Sequence, residues 1–163
     1  MVKKADFTAE EWKDILIAPQ MASIYISLSS PGGLFGTIKE MMVYSRLIAE
    51  AEITAGGNAL VSAVAEDVKG MIERKEKLEM PEMSRNLEEI KTQCIKTFRR
   101  LDILLKEKAP DDADGYKRWV YKAAKNSAEA AREGGFLGFG GVMVNEAEAD
   151  ALKEIAGALY IAV

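Results

Sequence analysis

The chain has 163 residues, 48% of them hydrophobic and 29% charged, with a formal charge of −4. That length predicts a single domain over 1–163, burying roughly 68–70% of the surface its unfolded chain exposes. Mild acidity without a basic run argues against nucleic acid as a partner. The lack of any histidine removes the usual base for a cysteine nucleophile.

The opening MVKKADFTAEEW has no apolar run of the signal-peptide kind, so the expected compartment is the cytoplasm. Thr8 followed by Glu11 has capping-box spacing and opens a first helix. Pro19 is expected to break or restart it, because proline lacks the N–H and clashes with the preceding turn. Residues Ile15–Ile38 carry no charge. A membrane span needs about 20 consecutive apolar residues. Pro19 and Pro31-Gly32-Gly33 interrupt this stretch and five polar residues dilute it, so it reads as a buried helix followed by a turn. Gln20, Ser23, Ser27 and Ser30 form a narrow polar stripe, the pattern of a helix buried on most sides.

Thr37 with Glu40 repeats the capping-box spacing and opens a second helix over about 38–54, ended by Gly56-Gly57. Asn58 caps a third helix with Val61, Val64, Val68 and Met71 on one face, which turns charged through Glu73–Glu79. Pro81 is expected to restart the chain into a long fourth helix ending near Lys108. Its stripe is Leu87, Ile90, Cys94, Phe98, Leu101 and Leu105, which makes the lone Cys94 a core residue. Lys96, Arg99 and Arg100 share that helix with Glu88, Glu89 and Asp102 and read as a solvated face. A fifth helix over about Asp112 to Arg132 sets Tyr116, Trp119, Ala123, Ser127 and Ala130 on one side, and Gly134 is its natural stop. Asn145 with Glu148 caps a sixth helix bearing Leu152, Ile155 and Leu159. The expected fold is all-α, an up-and-down bundle of about six helices, in which the first, third and fifth joints share one end.

The first and fifth joints echo each other. Gly32-Gly33-Leu34-Phe35-Gly36 is answered by Gly134-Gly135-Phe136-Leu137-Gly138. The second loop has no strand before it and no Gly-Lys-Ser/Thr after it, so it is not a phosphate cradle. It has the glycine and aromatic content of a membrane-touching loop, but Glu133 and Glu146 flank it where positive charge is wanted, so peripheral membrane contact is the lesser expectation. Leu34, Phe35, Phe136, Leu137 and Phe139 either plug the bundle end or meet a partner that completes their burial. The leading expectation is a non-enzymatic binding or interaction protein working through the pole at 31–36 and 134–144. Its partner is expected to be another copy of the chain, a different protein or an apolar molecule.

Other constellations give less. Asp112-Ala113-Asp114-Gly115 is not a calcium loop: with Gly115 at the sixth position, Pro110 and Tyr121 occupy places that need carboxylates. It reads as an acidic helix start. Glu66-Asp67 and Glu88-Glu89 are adjacent pairs, so neither pair shares a helix face. A carboxylate-based enzyme using Glu40 one turn from Tyr44 is a third functional reading.

Ala130-Ala131-Arg132-Glu133-Gly134, followed by Glu146-Ala147-Glu148 and then Leu152, Ile155-Ala156 and Leu159, is similar to a turn of the tellurite-resistance protein B (TerB-like) superfamily. Ser29-Ser30-Pro31-Gly32 with Glu40-Met41-Met42 resembles its partner turn in degraded form. The family's aspartate is Glu133 in one turn and missing in the other, and glycine inserts lengthen both. The resemblance implies an all-helical stress protein that binds a divalent cation at the inner membrane surface. On the matching positions its ligands would be Glu133, Glu148 and Glu40.

Overall fold

The computed structural model describes residues 1–29, 45–51, 57–133 and 146–163, with backbone alone at 131–133. Among the described residues the regular structure is helical and no strand occurs. After a 3-10 turn at Lys4–Asp6 come α1 (Ala9–Ser29), α2 (45–51), α3 (Ala59–Glu73), α4 (Leu87–Lys108), α5 (Pro110–Glu133) and α6 (Glu146–Ala158). Their buried apolar side chains form one continuous cluster. The protein is an all-α bundle.

The capping box forms as expected. Thr8 N–H donates to Glu11 Oε2 at 2.7 Å, and Glu11 N–H donates back to Thr8 Oγ1 at 3.2 Å. Launched there, α1 is buried on most sides, from Trp12 and Ile15 through Met21 to Ile26, and is the bundle's centre. Pro19 does not restart it, against the expectation from sequence; the helix runs straight through. A proline leaves the carbonyl four residues back without its helical donor. Tyr116 of α5 supplies one, its hydroxyl donating to the Ile15 carbonyl at 2.5 Å.

Side-chain pairs give the helix directions. Lys91, Arg100 and Lys108 of α4 meet Tyr25, Asp14 and Glu11 of α1 in turn, so these two helices are antiparallel. Ala109 alone joins α4 to α5, making a tight antiparallel hairpin that Lys117 and Asp102 bridge. Therefore α1 and α5 run in parallel. Helix α6 places Glu154 at Tyr25, and the turn just past it places Tyr160 at Lys106, so α6 descends alongside α4.

Helix α3 is fastened by its end. Asn58 caps it as expected, accepting from Val61 N–H at 2.9 Å. Asp112 of α5 adds a second cap, its Oδ1 accepting from Ala59 N–H at 2.7 Å. The first-turn aspartate of α5 thus serves another helix rather than only its own dipole. Gly115 makes room for the pair: a Cβ there would lie 2.5 Å from Asn58 Nδ2. Farther along α3, Asp67 accepts from Trp12 Nε1 at 2.8 Å and pairs with Lys4.

Three further expectations are corrected. Helix α3 ends at Glu73, where Lys75 takes φ 57 and Glu76 N–H closes on the Met71 carbonyl, so the charged run to Glu79 is not helical. Pro81 does not start α4. Asn86 caps it, accepting from Glu88 and Glu89 N–H, five residues later. Helix α5 begins at Pro110 rather than Asp112, because proline suits a first helical turn whose N–H would be unpaired anyway.

Asp102 is not on a solvated face. It is 2% exposed, and its two oxygens hold Lys106 and the buried Lys117, each at 2.7 Å. Burial alone would raise its pKa; hydrogen bonds from both lysines outweigh that and hold the carboxyl below the usual aspartate range.

Cys94 is fully buried, as its spacing predicts, and burial pushes its thiol up to about 12. Thiol reagents should therefore leave the native protein unlabelled and react once denaturant is added. Fast labelling of the folded chain would show that α4 opens locally.

Candidate functional site

The last turns of α1 and α5 lie at one end of the bundle, because the two helices are parallel. The starts of α4 and α6 lie there too. From this end the two glycine-rich segments leave their helices. Leu34, Phe35, Phe136, Leu137 and Phe139 are outside the described residues, as are Glu40, Tyr44 and Asn145. Glu133 is the last residue of α5 and is described by its backbone alone. Glu148 is in the first turn of α6 and is buried.

The described side chains near this end include a polar group at the edge of the core, Tyr25, Glu154 and Lys91. Tyr25 is nearly enclosed, and its hydroxyl donates to Glu154 Oε2 across from α6. The Lys91 ammonium sits 5.6 Å from the centre of the same ring. Burial first, and then the Glu154 carboxylate, push the Tyr25 phenol well above its ordinary value. Its proton is therefore committed to Glu154 at neutral pH. Cys94, on the neighbouring helix, is likewise a protonated thiol.

Two serines of α1 are satisfied by their own helix. Ser23 Oγ donates back to the Pro19 carbonyl at 3.2 Å and Ser29 Oγ to the Tyr25 carbonyl at 2.9 Å. Short hydroxyls on a helix commonly satisfy themselves this way. On α5 the reverse holds. Ser127 Oγ and Trp119 Nε1 are buried with no hydrogen-bond partner among the described residues. Ser127 lies less than two turns from the end of α5, so this hydroxyl stands just inside this end.

Among the described residues no three Asp, Glu or Cys side chains gather as a metal-holding group. A concavity of about 690 Å³ runs along α5 past Arg118, Lys122 and Lys125. Its first two cations are already engaged by Asp114 and Glu50. Sequence spacing missed the Tyr25–Glu154 pair, whose partners lie 129 residues apart with no local signal in either.

Comparison of the chain with protein-family models, with curated proteins and with solved structures gives no match. Among the described residues no helix is long and apolar enough to cross a membrane.

Proposed function

We propose that the chain is a non-enzymatic binding or interaction protein of the cytoplasm, acting through the end of the bundle where α1 and α5 finish. The observation behind this is the parallel course of those two helices. It brings the departure points of both apolar glycine-rich segments, 31–36 and 134–144, to one end. A surface assembled from two such segments suits an apolar partner, and another copy of the chain is the simplest one. Static light scattering of the wild type should report a species larger than the monomer. Phe35→Ser with Phe139→Ser should return it to a monomer while the melting midpoint stays near that of the wild type. A monomeric wild type, or a double variant that melts far lower with its assembly unchanged, sinks the reading: the phenylalanines would then be plugs.

Glu148 favours a second reading. A buried carboxylate in the first turn of α6, with Glu133 ending α5, suits the divalent cation that TerB-like proteins would bind. Calcium, magnesium, manganese or zinc should then raise the melting midpoint, since a ligand taken only by the native state stabilises it. Glu133→Gln with Glu148→Gln should erase that rise. No shift in the wild type ends this alternative.

A further inference from the structure

The outward side of α4 concentrates positive charge around an exposed apolar residue. Lys96, Arg99, Ile103 and Lys106 follow one another at spacings of three and four and so lie on one face. All are exposed, Ile103 to 66%. Lys96 and Arg99 have no ion-pair partner among the described residues. Lys106 shares Asp102 with Lys117, so that group keeps one positive charge in excess. Arg100 beside them is neutralised by Asp14, and Glu107 is the acidic neighbour. The balance on this face is positive in a chain whose total is −4.

A second feature stands against the same face. Just past α6, Tyr160 has φ 52, and Ile161 N–H closes on the Ala156 carbonyl. This is the left-handed position after a helix where glycine is the usual residue. A tyrosine there costs backbone energy, and the residue is 63% exposed, so the core gains little from it. The ring sits with its centre 5.0 Å from the Lys106 ammonium. It extends the apolar part of the basic face.

We propose that Lys96, Arg99, Ile103 and Lys106, with Tyr160, dock an acidic amphipathic helix of a partner protein. Its carboxylates would meet the cations, and its apolar side would cover Ile103 and Tyr160. Charge complementarity selects this occupant. A second copy placed on a two-fold axis through the face would set these cations against each other. The face lies toward the end of α4, at the opposite pole of the bundle from the glycine-rich segments, so the two proposals stand or fall separately.

The test is an NMR titration of the labelled protein with a helical peptide carrying glutamates on one side and leucines on the other. Saturable shifts should be confined to residues 96–107 and 158–161. Arg99→Glu and Ile103→Ser should each weaken binding roughly tenfold or more. Tyr160→Gly should weaken it too, yet raise the melting midpoint, which separates lost contact from lost fold. The proposal is overturned by the absence of saturable shifts, or by unchanged affinity in the Arg99 and Ile103 variants. Polyglutamate binding as tightly would overturn it as mere charge attraction. Single-stranded RNA shifting the same residues more strongly, or a dimer that Ile103→Ser dissociates, would overturn it in favour of those occupants.

Discussion

Replacing Asp102 by alanine should destabilise the protein by about 3–5 kcal/mol, because it leaves Lys117 buried beside no counter-charge. For a chain of this size that lowers the melting midpoint by on the order of 10 °C. The loss measures the stranded lysine rather than the net worth of the pair. Asp102→Leu combined with Lys117→Met should therefore recover most of it, since an apolar pair of similar volume needs no compensation. A single variant that loses less than about 1 kcal/mol would mean that Lys117 swings out to water. Acid gives an independent reading. Asp102 and Asp67 are both held below their ordinary value in the folded state, so the unfolded chain binds their protons more readily. Their contribution is complete above about pH 4, the ordinary aspartate range, and disappears as pH falls through the lowered folded values. Stability plotted against pH should rise less steeply in that acid range for Asp102→Asn than for the wild type.

Tyr116→Phe should cost about 1–3 kcal/mol although it removes one oxygen, because the Ile15 carbonyl is then buried with no donor. The cause lies in Pro19, so a cycle of variants isolates it. Pro19→Ala restores an N–H four residues after Ile15, and in that background Tyr116→Phe should cost much less. Urea titration of the four proteins gives the coupling directly. If the cost of Tyr116→Phe is the same in both backgrounds, the hydroxyl is not standing in for the missing helical donor.

These two sites show where sequence was a good guide and where it failed. The Cys94, Phe98, Leu101 and Leu105 row was legible because apolar side chains at spacings of three and four reveal a buried stripe directly. Asp102 lies beside that row, but its charge suggested water. Its partner is on the next helix. Asp102 and Lys117 stand seven and eight residues either side of Ala109, so recognising a one-residue hairpin would have paired them. Nothing near Pro19 announces Tyr116, since the donor comes from 97 residues away in sequence. The start of α4 was legible in Asn86 with Glu88 and Glu89, yet Pro81 was the louder signal. At the candidate site, the alternation of an up-and-down bundle made the common end of α1 and α5 readable, whereas Tyr25–Glu154 needed the packing of α6 on α1.

The one-residue joint between α4 and α5 also determines where the chain can change length. One residue inserted into the first turn of α5, just after Asp111, would turn the rest of that helix by about 100° and slide it 1.5 Å, and a one-residue joint leaves no slack to absorb it. Tyr116 would then rotate off Ile15, Lys117 off Asp102 and Asp112 off the start of α3, all at once. Between Glu76 and Asn86 the chain is not helical, so an added residue there rotates nothing. Insertions, tags and permuted termini belong in that stretch, while the span from Asp102 to Lys117 keeps its length for the same reason that a key keeps the spacing of its teeth.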